Sequence, residues 1–465
     1  MYQDNDTIAA IATPIGTGGI AVIRISGDDA IAIADKCFRG KHPLASVESH
    51  TAHFGSFVNS GNEEIDQVVA TIFKGPHSFT GEDVVEIGCH GGMFVTKTIL
   101  ESILSAGARA ATPGEFTKHA FLNGRMDLAQ AEATADLIHS SSNRAARSSI
   151  SQLAGMLSNK INELRESLLT ACSLLELELD FSEEGLEFIN KSNIINNIES
   201  VIADLKTLLS SYSIGKIYRE GIKVVIAGKP NVGKSSLMNA LLNSDRAIVT
   251  DIPGTTRDVI EENITIDGIL VRLVDTAGIR QSDNLVETEG IRRTNDQIAD
   301  ADIILFVLDP SQGFTQEDVK ILSSMSQNLN GHSPTLIVAQ NKSDLLNCRV
   351  KDFPPELVNL PIQKISAKTG IGLDQLRSSL SQKAAQELEN VSDSSLILTN
   401  SRHKQSIEKT ISSLEISLNS LNSSLSNDLI SIDIRAGLNA LGEIVGVITS
   451  EDVLNNIFSK FCIGK

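Results

Sequence analysis

The chain has 465 residues, of which 41% are hydrophobic, and a formal net charge of −18. Its length predicts about three domains of roughly 100–200 residues each, and its apolar content excludes a disordered chain. The acidic balance excludes a broad basic surface of the kind that holds nucleic acid through its phosphates, while leaving room for a local basic patch.

In chain order, residues 1–118 hold short β-type runs punctuated by glycine. Ile20–Ile25 follows the turn-like Gly16–Gly19, Val68–Phe73 reads as a further strand, and Val84–Ile87 precedes Gly88–Gly92. Phe94–Ser105 reads as a helix, so this segment predicts a small α+β domain. From about Glu115 the apolar spacing changes to three and four residues. Leu128–Ser140, Ala145–Leu175 and Ile194–Leu209 are then amphipathic helices, with a break at Asp180–Gly185. At Gly221 strands begin to alternate with helices, which predicts a parallel-sheet α/β domain ending near Lys383. Ser401–Ala440 and Ser450–Phe461 are helical again, with Leu414, Leu418, Leu421 and Leu425 on one face. Helical segments thus flank the α/β domain, and one helical domain interrupted by an inserted α/β domain is the economical arrangement. Two separate bundles are the alternative.

The five cysteines, Cys37, Cys89, Cys172, Cys348 and Cys462, are scattered and form no CxxC pair. That usage fits reduced thiols in the cytosol and supplies no zinc site from neighbouring ligands. The opening MYQDNDTIAAIA lacks the basic region of a signal peptide, and runs such as Ile303–Leu308 are too short to cross a membrane. A soluble, cytoplasmic protein is expected.

The α/β segment carries the chemistry. Lys223–Ala227 is a buried-strand run leading into Gly228-Lys-Pro-Asn-Val-Gly233-Lys234-Ser235, a G-x4-GK[ST] loop ahead of a predicted helix over Ser236–Leu242. Glycines let backbone N–H groups turn inward around phosphates, and the helix N-terminus adds its positive end. Asn231, Val232, Gly233, Lys234, Ser235 and Ser236 are therefore candidate nucleotide contacts, with Lys234 on the β/γ-phosphates and the Ser235 hydroxyl on Mg²⁺. The polar stretch Thr250, Asp251, Ile252, Pro253, Gly254, Thr255, Thr256 places Thr256 to close the Mg²⁺ shell. Leu270–Val274 ends in Asp275, Thr276, Ala277 and Gly278, where a carboxylate can hold Mg²⁺ through water and an N–H can meet the γ-phosphate. Thr335–Gln340 ends in Asn341-Lys342-Ser343-Asp344. The Asp344 carboxylate can accept both N1–H and the exocyclic amine of guanine, which selects GTP over ATP. Ser366, Ala367 and Lys368, after Pro361–Ile365, supply a further loop for the base.

One position departs from Ras-like GTPases. Ile279 follows the DTAG motif where those enzymes carry the water-orienting glutamine. Asn231, whose amide oxygen can bind a cation, and Glu287 are the candidates to replace it, although composition alone favours a solvated loop carboxylate for Glu287.

The segments GKPNVGKSS, TDIPGTTRD and DTAGIR resemble the translation-factor-related bacterial GTPases. Outside them, DTIAAIATPIGTGGIAVIRISG, FTGEDVVEIGCHGG, TPGEFTKHAFLNGRMDLAQAEATADLI and the terminal FCIGK narrow the likeness. Over essentially its whole length the chain is similar to the tRNA uridine-5-carboxymethylaminomethyl modification GTPases, the MnmE or TrmE family of the TrmE-Era-EngA-like group. The resemblance implies a multidomain α/β plus α fold. Residues 1–118 would be an α+β folate-binding-like and dimerisation domain, residues 119–218 and 384–465 an all-α helical domain, and residues 219–383 a Ras-like G domain inserted into it.

The same resemblance implies a function. GTP hydrolysis would accompany addition of an aminomethyl or carboxymethylaminomethyl group at C5 of the wobble uridine (U34) of certain tRNAs. The FAD-containing partner MnmG and a 5-formyl- or 5,10-methylene-tetrahydrofolate derivative would take part, and the chain would be a homodimer through its N-terminal domain. K⁺ would sit on Asn231, Thr250, Ile252 and Thr255 and supply the charge that an arginine finger supplies elsewhere. Glu287 matches the family's catalytic glutamate, which reverses the reading from composition, and with Lys234 and Asn231 forms the implied catalytic set. Arg24, Glu86, Arg125 and Lys465 match the folate site. The CIGK context of Cys462 fits a prenylation signal poorly; in that family the cysteine is associated with the modification site, which implies a place for Cys462 near the folate. Two other functions fit the G motifs, a ribosome-assembly RNA-binding switch and a regulatory GTPase, but each leaves the N-terminal segments without a purpose.

Overall fold

In a computed structural model, the structure describes residues 6–180, 191–244, 261–275, 297–327, 334–345, 362–388, 396–423 and 426–465. The chain forms two units, the first made of residues 1–138, 149–203 and 405–465 and the second of residues 139–148 and 204–404.

The first unit opens with a seven-stranded sheet. Its strands are β1 (Ile8–Ile11), β2 (Ala21–Ser26), β3 (Phe38–Gly40), β4 (Thr51–Val58), β5 (Glu64–Phe73), β6 (Val84–Cys89) and β7 (Arg109–Ala110), in the order β3-β4-β5-β6-β2-β1-β7. Helices α1 (Ala30–Cys37) and α2 (Met93–Ser105) cover one face. Strand alternation sends Ile23, Ile25, Ala70, Ile72, Val85 and Ile87 into that layer, against Ile31, Ile33, Ile99 and Ile103. Each fully buried isoleucine contributes about 1.5–3 kcal/mol. The same alternation turns two rows to the opposite face. One runs Thr71, Glu86, Arg24, Ala10, and the other runs Phe54, Val69, Gly88, Val22.

The helices of this unit include α3 (Glu115–Leu122), α4 (Leu128–Ile138) and α6 (Met156–Asp180), after α5 (Asn143–Leu153). The run Ala145–Leu175, read from the sequence as one helix, is therefore two. Gly155 breaks it at φ +84°, a conformation a side chain resists, and Gln130 Nε2 donates to the Leu153 carbonyl at 3.0 Å. Next come α7 (Lys191–Ser210) and α8 (Tyr212–Glu220); the break expected at Asp180–Gly185 lies, past Asp180, outside the described residues.

In the second unit a six-stranded sheet runs β13-β12-β11-β8-β10-β9. Its strands are β8 (Ile222–Ala227), β9 (Glu261–Ile266), β10 (Ile269–Asp275), β11 (Ile303–Leu308), β12 (Thr335–Gln340) and β13 (Ile362–Lys364). All neighbours are parallel except β9 with β10. Its helices are α9 (Lys234–Ser244), α10 (Gln316–Gln327) and α11 (Leu373–Leu388). One face packs on Leu237, Leu241, Leu376 and Leu380, the other on Phe314, Ile321 and Leu322. Burial on both faces is why β8, β10, β11 and β12 read as largely apolar runs, while the edge strands β9 and β13 do not. Ser211, at the entrance to this unit, accepts the Leu398 N–H at 3.0 Å, so the chain enters and leaves the α/β domain at adjoining points.

The last helices are α12 (Ser401–Asn422), α13 (Asn427–Val445) and α14 (Glu451–Phe458). Of the leucines expected on one face of α12, Leu414 and Leu421 are buried, Leu418 is half-buried and Leu425 lies outside the described residues. In the first unit α13 packs along α6, and Phe458 and Phe461 meet Leu128 and Phe121. Together these give an N-terminal α+β layer, helices from both chain flanks, and an inserted parallel α/β domain. Among the described residues no helix is long and apolar enough to cross a membrane.

Candidate functional site

The phosphate loop leaves the carboxyl end of β8 and enters α9. Gly228 has φ +147°, and a Cβ there would lie 2.4 Å or so from the Val307 carbonyl, so only glycine lets the loop pass under β11. Lys234 Nζ donates to the Gly228 carbonyl at 2.9 Å and to that of Lys229 at 2.8 Å, which folds the loop around its ammonium. Asn231 takes a left-handed φ of +62° and is exposed, Ser236 is exposed on the first turn of α9, and Val232 is buried.

Ser235 and Asp275 are brought together although 40 residues separate them. The hydroxyl donates to Asp275 Oδ2 at 2.7 Å, and the carboxylate is 1% exposed at the end of β10. Two hard oxygen donors at the mouth of a phosphate loop fit Mg²⁺.

The guanine motif also holds the phosphate loop. Asn341 Nδ2 donates to the Val232 carbonyl at 2.9 Å, while its Oδ1 accepts the Ala367 N–H at 2.9 Å. Lys342 Nζ donates to the Asn231 carbonyl at 3.1 Å and pairs with Asp309 at 2.6 Å. Burial alone would raise the Asp309 carboxyl, but Lys342 and the Ser311 hydroxyl and N–H hold it below the usual carboxylate range. Ser366 Oγ donates to Asp344 Oδ1 at 2.6 Å, and this bond, with the charge of Lys368, holds the Asp344 carboxyl below its ordinary range. Asp344, Ser366, Ala367 and Lys368 therefore form one base-side cluster joined through Asn341 to the phosphate side. Asp309 was not singled out from the sequence; its signal is its place directly after the apolar run of β11, as Asp275 follows the apolar run Ile269–Val274 within β10.

The remaining expected contacts lie outside the described residues. These are Thr250, Asp251, Ile252, Pro253, Gly254, Thr255 and Thr256, then Thr276, Ala277, Gly278 and Ile279, and Glu287. Cys348, one of the scattered thiols, likewise lies outside the described residues.

A second cluster lies on the open sheet face of the first unit. Arg24 on β2 pairs with Glu86 on β6, Nε–Oε1 2.9 Å and Nη2–Oε1 2.8 Å. Its guanidinium lies over Phe79 at 5.1 Å and Phe116 at 5.7 Å. Arg24 Nη1 is buried without a hydrogen-bond partner, which leaves one donor for an acceptor on a ligand. Lys465 is half-buried beside this pair. Desolvation, and then the like charge of Arg24, lower its ammonium pKa against the pull of Glu86 and Cys462. Cys462 is exposed, and its carbonyl accepts the N–H groups of Gly114 and Lys465, both at 3.4 Å. Arg125 falls in the turn between α3 and α4, with its stem against Gly81.

A set of polar residues on the same face was not anticipated. Ser26 Oγ donates to Glu82 Oε2 at 2.7 Å, His119 Nδ1 lies 2.9 Å from Glu82 Oε1, and Asn123 Nδ2 donates to the Thr80 carbonyl at 2.8 Å. Alternation along β2 puts Ser26 on the side of Arg24, but only the fold brings Glu82 and His119 to it.

Comparison with known proteins covers both units. Residues 7–125 match the family description "GTP-binding protein TrmE N-terminus", and residues 128–462 match "MnmE helical domain". The tRNA modification GTPase MnmE of Acetivibrio thermocellus is 44% identical over 100% of both chains. That of Salinibacter ruber is 43% identical over 100% of both, and that of Protochlamydia amoebophila 44% identical over 100% of this chain and 98% of its own. With a guanine-type phosphate loop bound to an NKSD motif in one unit and the TrmE N-terminal fold in the other, the chain belongs to the MnmE (TrmE) family of tRNA modification GTPases.

Proposed function

We propose that this chain hydrolyses GTP as part of the modification of C5 of the wobble uridine (U34) of tRNA, working with the FAD-containing partner MnmG. The observation that supports this best is the coupling of base and phosphate sides, in which Asn341 and Lys342 hold the carbonyls of Val232 and Asn231. GTP would be held by the loop from Asn231 to Ser236, by Thr250–Thr256, by Asp275–Gly278, and by Asn341, Lys342, Asp344 and Ser366–Lys368. Ser235 and Thr256 would ligate Mg²⁺, which supplies charge for the β/γ-phosphates when bound. In this reading K⁺ rests on Asn231 and oxygens of Thr250, Ile252 and Thr255, and Glu287 orients the water that Ile279 cannot.

The orphan Nη1 of Arg24 and the Glu86 carboxylate fit a tetrahydrofolate derivative, an acceptor meeting the first and a pterin amine the second. Lys465 and Arg125 add positive charge for its anionic tail, and Cys462 stands nearby. The proposed layout is 1–118 for folate and dimerisation, 119–218 with 384–465 for the helical domain, and 219–383 for the G domain, in a cytoplasmic protein.

Mass spectrometry of wobble nucleosides from a strain lacking this protein tests the reading. Loss of the C5 aminomethyl-type groups is expected, and an unchanged nucleoside profile would overturn it. GTP turnover should also be much faster in KCl than in NaCl, and equal rates would remove the K⁺ site alone.

A further inference from the structure

Lys229 is the second lysine of the phosphate loop, and the site described above gives its side chain no task. A basic side chain in a loop built for phosphates would ordinarily face the ligand. This one turns away. Its side chain is 6% exposed and lies 2.8 Å from an Asp318 carboxylate that is 0% exposed.

Asp318 stands in the first turn of α10. Its Oδ2 also accepts the Thr315 N–H at 2.8 Å and the Thr315 hydroxyl at 2.9 Å, and that hydroxyl in turn accepts from Lys229 Nζ at 3.0 Å. Thr315 and Asp318 thus cap α10 with a T-x-x-D pattern, and Lys229 closes the cap from the phosphate loop. Asp318 Oδ1 is buried with no hydrogen-bond partner, so Lys229 carries the charge balance of this carboxylate. The carbonyl of the same Lys229 accepts Lys234 Nζ. One residue therefore joins the capped start of α10, through its side chain, to the ammonium that meets the phosphates, through its carbonyl. A buried ion pair gives little net stability over an apolar pair of similar size, so stability is a weak reason for this one.

We propose that Lys229 is a positioning residue for GTP turnover: its buried pair with Asp318 fixes the carbonyl on which Lys234 is docked. Loss of the pair lets that carbonyl, and with it Lys234, shift relative to the phosphates. Misplacement of a catalytic group by about 1 Å costs on the order of 10²-fold in rate.

The test uses the full chain with Lys229→Met, Lys229→Arg and the double variant Lys229→Met/Asp318→Leu. Steady-state kcat and KM for GTP, GDP affinity and Tm are measured for each. Lys229→Met is expected to lower Tm, because Asp318 is left buried and unpaired, to weaken GDP binding, and to lower kcat/KM by roughly 10- to 100-fold. The double variant is expected to regain Tm but neither kcat/KM nor GDP affinity, while Lys229→Arg keeps both. Recovery of kcat/KM in step with Tm in the double variant would overturn the proposal and make the pair a packing element. Where Lys229→Met alone does not fold, the double variant carries the same comparison.

Discussion

Asp344 stands at the point where chemistry and nucleotide choice meet, and its hydrogen bonds say how replacement would act. The Ser366 hydroxyl and the nearby Lys368 hold its carboxyl ionised, ready to accept two N–H groups from guanine. Asp344→Asn puts an amide donor opposite one of those N–H groups. GTP affinity is then expected to fall on the order of 10²-fold or more, while XTP, whose second carbonyl accepts that donor, gains. Competition between GTP and XTP in single-turnover hydrolysis checks this, and an unaltered preference would place base recognition elsewhere. At this scale the sequence was highly legible. Phosphate loop, DTAG and NKSD each sit at a strand end, where chain direction leaves side chains little choice. The links among motifs were not legible. That Lys342 would hold Asn231 and Asp309 at once depends on the parallel order of β8, β11 and β12, which no local spacing encodes.

At the scale of elements, the open face of the N-terminal sheet is organised by register. Arg24, Glu86 and Thr71 form one row because β2, β6 and β5 pair antiparallel, and α3 brings Phe116 and His119 over it. Glu82 fixes α3 to this face. Burial acts to raise its pKa, but bonds from His119, Ser26 and Asn123 prevail and hold it below the usual value. A carboxyl depressed in the folded state contributes stability that is present above its unfolded pKa of about 4.3 and is lost as pH falls through the lower folded value. Amide hydrogen exchange of α3, corrected for intrinsic rates, should therefore show protection falling on the acid side of that value. Glu82→Gln should be less protected at neutral pH and show a flatter acid profile; an unchanged slope would assign the acid lability to another group. Sequence periodicity found α2, α4 and α7 but merged α5 with α6, since the apolar spacing runs on through the break. Only the backbone conformation of Gly155 and its neighbours separates them. In the N-terminal sheet β1, β3, β4 and β7 were also missed: β1, β3 and β7 because two to four residues carry too little alternation to recognise, and β4 because no residue of its first half, Thr51–Phe54, is buried and Gly55 interrupts its apolar pattern.

At the scale of the whole molecule, the insertion of the α/β domain was legible because helical periodicity stops and resumes around it, and Ser211 and Leu398 show how entry and exit are closed. The proposed homodimer draws on a different feature. The second row on the open sheet face, with Phe54 and Val69, runs beside the Arg24–Glu86 row two residues further along the strands, and Phe54 is 67% exposed. Ile15, Ile20, Met93 and Phe94 are also exposed, and the Gly18 N–H donates to the Gly91 carbonyl at 2.9 Å, tying the Ile15–Ile20 loop to the start of α2. Large apolar and aromatic side chains held on a rigid sheet and a helix start are the anchors a subunit interface uses. A homodimer proposed through this domain should then depend on them. Phe94 lies in the first turn of the helix that covers the face opposite Phe54, so Phe54→Glu with Phe94→Glu charges both surfaces at once, and each charge costs several kcal/mol if its own surface is covered. Sedimentation should show twice the chain mass for the unaltered protein and the single-chain mass for the double variant, with GDP binding by the inserted domain retained. A variant that stays dimeric would move the interface to another surface, and one that loses GDP binding as well would mark a folding defect.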